Sequence, residues 1–304
     1  MMQAAQAHSS VQRSQKRRGW LYACRELFIV CIGMAVSTPV SAEPSELVMG
    51  VFPRRNPTEM IEMFSPLANY LSHELGRPVK IETTPDFNSF WVAVAAKRYH
   101  IVHYNQYHYI RSHKQLGYRL VAKNEESGVT SIAGAIVVRK DSGIDKLTDL
   151  RSKTILFGGN KQAMNSYVTP TYLLGQAGLK HGDYKEEFAS NPPNAAIAVY
   201  FGRAAAGGVG DIVYDTPFVR KKVDVSKLKI IAKSKPVAHL PWAVRGDVPR
   251  ETRDAIRKAL LAVKSASDAE RILKMAALTN IVAADDGEYD YVRRIVMGVM
   301  GEQY

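Results

Sequence analysis

The sequence predicts an α/β protein of two lobes with a ligand cleft between them. Strand-like and helix-like segments alternate over residues 46–110, a pattern typical of parallel strands joined by crossover helices. A second alternating series covers residues 154–232. Between the two series, residues 132–139 form an apolar segment long enough to pass from one lobe to the other. With 304 residues, the chain has enough length for two modest lobes.

The elements of the first lobe follow from hydrophobic periodicity and turn residues. Leu67, Tyr70, Leu71 and Leu75 share one helical face, with Ser65-Pro66 suited to the start of that helix. The predicted strands of this lobe are residues 46–52, 79–83 and 101–102. The predicted helices are one from Ser65-Pro66 to Gly76, one over 88–97, and three near the C-terminus over 249–263, 268–278 and 289–299.

The second lobe is predicted from the same signals. Its predicted strands are 132–139, 154–157, one from Gly207 and 228–232, and its predicted helices are one that ends near Gly178 and one over 195–201. We expect the first lobe to comprise residues 43–133 and 236–304, and the second to comprise 134–235. The chain would then cross twice between the lobes.

Residues 1–42 have the features of a secretory signal peptide. A basic region that includes Arg13 and Arg25 precedes an apolar run of about ten residues, and small residues near Ala42 suit cleavage. An uncleaved N-terminal anchor is the alternative, although the run is short for a bilayer. Both cysteines, Cys24 and Cys31, lie in this segment, so the mature chain would have neither a disulfide nor a cysteine-ligated metal. We therefore expect an exported, periplasmic protein.

The charge of the chain favours an anionic partner. Residues 1–42 contain five basic residues and one acidic residue, so about +8 of the net charge of +12 belongs to the remainder. The surplus is spread along the chain rather than concentrated in blocks, which argues against nucleic acid as the partner of an exported protein. A small anionic ligand or an anionic membrane surface fits this charge better.

A polar and aromatic segment, residues 103–109, is the strongest candidate for ligand contact in the first lobe. It follows the strand 101–102 as a predicted loop, where open α/β sheets place their ligands. Aromatic rings with polar tips and neutral amides fix small ligands at low entropic cost. The alternative is an ordinary polar surface segment. The candidate residues here are Phe52, Arg54, His103, Tyr104, Asn105, Gln106 and Tyr107.

The histidines and the remaining polar residues near this segment are open to more than one interpretation. His103 and His108 have no carboxylates nearby in sequence, which favours hydrogen-bonded histidines over metal ligands, so no metal site is predicted. Arg54 could equally be a solvated charge at the rim. Trp242 could belong to the core or to the site.

The glycine-containing loop after strand 154–157 supplies the candidates of the second lobe. A strand, a loop and a helix start present free backbone N–H groups that can hold an anion. A plain strand-to-helix loop is the alternative, since no dinucleotide or nucleotide fingerprint is present. The candidates are Lys161, Gln162, Asn165, Ser166 and Tyr167, with Asp211 as a ligand or hinge contact.

Several motifs resemble the phosphate/phosphite/phosphonate-binding proteins of ABC importers. They are the segments Pro66 to Gly76 and Asp141 to Leu150, the Tyr167-x-x-Pro170 helix start, Ala198-Val199 and Gly210-Asp211. The resemblance covers nearly all of residues 46–300. It implies the type II periplasmic binding protein fold, in which each lobe is a mixed sheet flanked by helices, and a small anionic ligand without a cofactor.

The chain departs from the family pattern at the positions that would hold the ligand. The family's Ser-Thr-Ser-Gly run is Ala163-Met164-Asn165-Ser166 here, and a His-Asp pair is replaced by Pro192-Pro193. His100 replaces an acidic residue, and Asn105-Gln106 replaces a Gly-Pro pair. Each oxyanion lone pair left without a donor costs about 1–3 kcal/mol. A phosphonate-like oxyanion would therefore need other donors.

The resemblance predicts a monomeric solute-binding protein that closes around its ligand and delivers it to the membrane subunits of an ABC importer. The first alternative is a periplasmic sensor that binds a similar ligand and docks on a receptor kinase. An enzyme is the second alternative, but no Ser-His-Asp arrangement, paired carboxylates or metal motif stands out. We therefore expect no catalytic activity and no catalytic residues.

Overall fold

The computed structural model describes residues 45–304, so the predicted signal peptide lies outside the described residues. The strands are β1 (Leu47–Val51), β2 (Val79–Glu82), β3 (Ile101–His103), β4 (Arg119–Glu125), β5 (Ser131–Ile132), β6 (Gly134–Arg139), β7 (Thr154–Gly158), β8 (Lys185–Ala189), β9 (Ala206–Gly210), β10 (Leu228–Lys233), β11 (Val237–Ala238), β12 (Pro241–Val244) and β13 (Asn280–Val282). The helices are α1 (Pro57–Leu75), α2 (Phe87–Ala95), α3 (Gln106–Leu116), α4 (Thr169–Gln176), α5 (Pro192–Tyr200), α6 (Pro217–Arg220), α7 (Arg250–Ala262), α8 (Ala269–Met275) and α9 (Asp290–Met300).

Six strands form a first sheet in the order β13-β4-β12-β3-β1-β2. β1 pairs in parallel with both β2 and β3, which confirms the pairing predicted from the alternating elements. The other half of the sheet is antiparallel and includes three strands that the sequence pattern did not predict: β4, β12 and β13. β4 was missed because it contains the buried polar residues Lys123 and Asn124, whose partners lie far away in sequence.

Five strands form a second sheet in the order β10-β6-β9-β7-β8. β7 pairs in parallel with β8 and β9, whereas β6 is antiparallel to both of its neighbours. β8 was not predicted, because all of its residues remain partly or fully exposed and no apolar alternation marks it. Both sheets are therefore mixed, as expected for this fold class.

The chain passes twice between the sheets, and the two crossing segments pair with each other. β5 lies on the first crossing and β11 on the second, and they form a two-stranded antiparallel ladder. The prediction of one continuous strand over 132–139 is wrong, because the ladder breaks at Ala133. The Ala133 N–H donates to the Asp211 carboxylate at 3.0 Å, and its carbonyl accepts from the Asp211 N–H at 2.8 Å. Ala133 is thereby held by the segment after β9 rather than by a sheet neighbour.

Two predicted helix starts are wrong for the same physical reason. α1 begins at Pro57, not near Pro66, because the Asn56 side chain caps it by accepting from the Glu59 N–H at 2.9 Å. Pro66 lies inside the helix, which continues through it on a buried apolar face. In the second example, Asn191 caps α5, which begins at Pro192, three residues upstream of the predicted start.

Trp242 belongs to the core of the first sheet. Its side chain is fully buried, and its indole N–H donates to the Asn124 side-chain oxygen at 2.8 Å. Its ring stacks on His103 with centroids 4.4 Å apart. The structure thus decides between the two roles left open for Trp242. Over residues 45–304, none of the helices has the length and apolar character needed to cross a membrane.

Candidate functional site

Helix α3 starts directly where β3 ends, and its first residues face the second sheet. The segment 103–109 was predicted to be a loop, which is wrong for His103, the last residue of β3, and for Gln106 onward. The Asn105 side-chain oxygen accepts from the His108 N–H at 2.8 Å and caps the helix. This cap orients the rest of the Asn105 amide. Its Nδ2 donates to the backbone carbonyl of Gln162, in the loop after β7, at 2.9 Å.

A second bridge joins the two halves of the protein, each built around one of the two large sheets, and runs through Gln106. Its Nε2 donates to the Ala238 carbonyl on the second crossing segment at 2.9 Å. Because a carbonyl can only accept, this bond leaves the Gln106 Oε1 free to accept. That oxygen accepts from the Asn165 Nδ2 at 3.2 Å. Four of the predicted site residues, Asn105, Gln106, Gln162 and Asn165, are therefore brought together by direct hydrogen bonds.

His108 makes a third bridge, although it was not among the predicted ligand contacts. Its ring lies between Phe87 and Trp91, with centroid distances of 5.8 Å to each and nearly parallel planes. Its Nε2 lies 3.0 Å from the Gln162 side-chain oxygen. Burial lowers the pKa of His108 to about 4, so at neutral pH the ring is uncharged and its Nε2–H donates to Gln162.

Phe87 extends the aromatic wall toward the loop after β7. Its ring lies 5.9 Å from the predicted site residue Phe52. A Cβ placed on Gly159 would lie 3.4 Å from the Phe87 ring, so the two halves are in close contact here. The aromatic character of residues 87–91 was the one signal in the sequence that could have identified this wall.

Three other candidates from the first half face the interior. His103 stacks on Trp242, and burial holds its pKa well below the usual value. The Tyr104 hydroxyl lies 2.6 Å from the Ser112 hydroxyl in the core. The Tyr107 hydroxyl donates to the Glu302 carboxylate at 2.8 Å, near the C-terminus. These side chains hold α3 in place and do not join the bridging amides.

Arg54 is neutralised by a carboxylate. Its guanidinium lies 3.0 Å from Glu126, which also accepts from the Asn124 amide at 3.1 Å. Burial favours a raised pKa for the Glu126 carboxyl, but Arg54 and His239 outweigh it and lower that pKa. Arg54 and Glu126 therefore form an ion pair with no net charge, and the site gains little cationic character from it.

The remaining candidates of the second half divide between the site and its surroundings. The Ser166 hydroxyl donates to the Gly158 carbonyl at 2.5 Å and closes the loop internally. Tyr167 and Lys161 both turn toward Glu186, at 3.4 Å and 3.8 Å. Asp211 pairs with Lys233 at 2.8 Å and accepts from the Ala133 N–H on the first crossing, so it does not join the bridging amides.

The segment that leads into α4 presents unused backbone donors. Residues 164–168 form a π-helical turn, in which the Tyr167 and Val168 N–H groups both donate to the Ala163 carbonyl. The N–H groups of Met164, Asn165 and Ser166 precede the first intrahelical bond, and no hydrogen bond within residues 45–304 occupies them. Such a helix start favours an anion.

Comparisons with known proteins agree with this architecture. Residues 49–289 match a family model described as "ABC transporter, phosphonate, periplasmic substrate-binding protein". The chain is 21% identical to a probable ABC transporter phosphite binding protein, PhnD1, of Prochlorococcus marinus (strain MIT 9301), with 85% of this chain and 91% of that protein covered.

Solved structures show the same fold. PhnD1 from Prochlorococcus marinus in complex with methylphosphonate has a TM-score of 0.74 at 17% identity, covering 84% of this chain and 98% of that one. XAC2383 from Xanthomonas citri bound to ATP has a TM-score of 0.73 at 20% identity, covering 85% and 98%. The type II binding-protein fold predicted from the sequence is thereby confirmed.

Proposed function

The chain belongs to the family of periplasmic phosphonate-binding proteins of ABC transporters, and we propose that it captures a small phosphorus oxyanion for such a transporter. The observation that carries the proposal is the set of amide bridges from Asn105 and Gln106 to Gln162 and Asn165. These bridges join the two halves beside the unused N–H groups at the start of α4. Methylphosphonate and phosphite, named for the relatives, are the first ligands to test.

The proposed lobes are residues 43–133 with 236–304, and residues 134–235. A ligand that contacts both lobes favours the closed arrangement by its difference in affinity for the two states. The two crossing segments and the Asp211 clamp on Ala133 would serve as the hinge. Asn105, Gln106, Gln162 and Asn165 would then meet in the closed arrangement, which their bonds stabilise and a ligand between the lobes stabilises further.

The binding site is proposed to hold the anion mainly with backbone dipoles. Arg54 is paired with Glu126, and Lys161 lies near Glu186, so neither cation is free to dominate. The N–H groups of residues 164–166 would remain as donors where the family's serine-rich run adds hydroxyls to the same backbone groups. With the Ser166 hydroxyl bonded to the Gly158 carbonyl, we propose that this helix start holds the anion through its backbone.

Family membership implies a periplasmic location and a substrate-binding rather than a catalytic role. We propose that residues 1–42 direct export and that the mature protein works as a monomer. The closed form would dock on the transporter's membrane subunits. Docking on a receptor kinase is not favoured, because the matched family consists of transporter components.

A thermal-shift and calorimetric screen of the exported protein tests the proposal. Methylphosphonate, phosphite and phosphate would be compared with a panel of ATP, sulfate and small carboxylates. A ligand at about 100 times its Kd adds about 2.7 kcal/mol of stability, which is easily measured. We expect a shift with at least one phosphorus oxyanion. A protein that responds only to other solutes, or to none, would contradict the proposal.

A further inference from the structure

We propose that Asn165 makes this site selective for anions that carry their own hydrogen-bond donor, such as a P–OH or an ammonium group. This inference rests on the proposed function, because it concerns the same cleft. It specifies the class of ligand: a monoprotonated phosphonate or an aminoalkylphosphonate rather than sulfate or a sulfonate.

The orientation of the Asn165 amide is set by a chain of bonds that ends on a backbone carbonyl. The Ala238 carbonyl fixes Gln106 Nε2 as the donor, so Gln106 Oε1 must accept. The group of Asn165 that faces this oxygen must therefore be its Nδ2. A flipped Asn165 would bring two oxygens together, so the free end of its amide is the acceptor Oδ1.

This Oδ1 is buried and has no hydrogen-bond partner among the described residues. Unpaired buried acceptors are rare, because they lose their bonds to water and gain nothing in return. The Asn165 backbone packs against the start of β6, since a Cβ on Gly134 would lie 3.1 Å from the Asn165 carbonyl oxygen. Its side chain meets Gln106 of the first half, so Oδ1 lies buried at the junction of the two halves although part of the residue remains accessible to solvent.

Asn165 has both an unused hydrogen-bond donor and an unused acceptor. Its backbone N–H is one of the unused donors at the helix start, while its Oδ1 is an unused acceptor. We expect an anion held by that N–H to meet the side chain of the same residue. A fully deprotonated oxyanion would set its lone pairs against Oδ1, whereas a P–OH or an ammonium group would donate to it.

Isothermal titration calorimetry with a shape-matched ligand pair tests the inference. Methylphosphonate can hold a proton on one oxygen, whereas methanesulfonate cannot at the same pH. Below the second ionisation of methylphosphonate, we expect the wild-type protein to prefer it by about tenfold or more. Above that ionisation, the preference for methylphosphonate over methanesulfonate should fall. The preference for 2-aminoethylphosphonate over methanesulfonate should persist, because its ammonium group can still donate.

Two variants and one control separate selectivity from folding. Asn165→Ala should reduce the phosphonate-to-sulfonate ratio about tenfold. Asn165→Ser, whose hydroxyl can donate to an oxyanion, should bind methanesulfonate more tightly than the wild type does. It also serves as the second test if the alanine variant unfolds. Asn280→Ala, on the outer strand β13, should leave the ratio unchanged.

The outcomes distinguish this inference from the proposed function. If the wild-type protein binds both ligands and Asn165→Ala leaves their ratio unchanged, the inference fails while the proposed function stands. Equal losses for both ligands would mean that Asn165 only positions Gln106, which also overturns the inference. If no phosphorus or sulfur oxyanion binds the wild-type protein, the proposed function itself fails.

Discussion

Replacing Asn105 with alanine removes two interactions whose contributions can be separated. The side chain caps α3 through its Oδ1 and reaches the Gln162 carbonyl through its Nδ2. Loss of an asparagine cap costs about 1 kcal/mol, and loss of a typical buried hydrogen bond costs about 1 kcal/mol more. We therefore expect Asn105→Ala to lower the free energy of unfolding by about 2 kcal/mol.

Asn191 provides a matched control for the cap alone. It caps α5 by accepting from the Asn194 N–H at 3.0 Å. Asn191→Ala should therefore cost only about 1 kcal/mol. For a chain of this size, 1 kcal/mol corresponds to about 2–4 °C in Tm. Asn105→Ala should lower Tm by about twice as much as Asn191→Ala.

Differential scanning calorimetry measures both shifts, and small-angle X-ray scattering of the ligand-free protein reports on closure. Asn105→Asp should keep the cap and lose the bridge, because a carboxylate cannot donate to the Gln162 carbonyl. Equal Tm losses for Asn105→Ala and Asn191→Ala, with unchanged scattering, would refute the claim that this bridge stabilises the closed arrangement.

Three further predictions concern pH, packing and the proposed hinge. Since burial lowers the pKa of His108 to about 4 while an unfolded histidine titrates near 6.5, its protonation should reduce stability as the pH falls from about 6.5 to about 4. Tm measured across this range should vary less in His108→Gln, and superimposable curves would be evidence against this account. A Cβ on Gly158 would lie 2.2 Å from the Pro192 backbone, so Gly158→Ala should cost about 1–3 kcal/mol. Gly175→Ala has open space within α4 and should gain about 0.5–1 kcal/mol; equal Tm changes for the two would contradict the packing argument. Asp211→Ala should speed hydrogen exchange of the crossing-segment amide that Asp211 holds, and an unchanged rate would remove its role as a clamp.

The sequence alone identified the elements that depend on local patterns. Alternating apolar residues and turn signals predicted the parallel β2-β1-β3 arrangement. This was possible because the hydrophobic period of a strand or a helix can be recognised among neighbouring residues. The same signals failed at β4, where Lys123 and Asn124 are buried. Lys123 pairs with Glu288 and Asn124 with Trp242, and such long-range partners have no local signature.

Within the candidate site, the sequence identified the segment but not the direction of each side chain. Once α3 begins at Gln106, helical geometry turns Tyr107 toward the C-terminus and keeps Gln106 on the face toward the second crossing. That start depends on the Asn105 cap, because an asparagine before a polar segment does not by itself indicate that a helix begins there.

Only the tertiary structure decided which amides meet. Asn105 and Gln162 are separated by 57 positions, and Gln106 and Asn165 by 59. Their contact depends on two crossings of the chain between the sheets, which bring the end of β3 opposite the start of α4. Residue types set what these groups can donate or accept. The fold determines which partner each one finds, and within residues 45–304 it leaves the Asn165 oxygen without one.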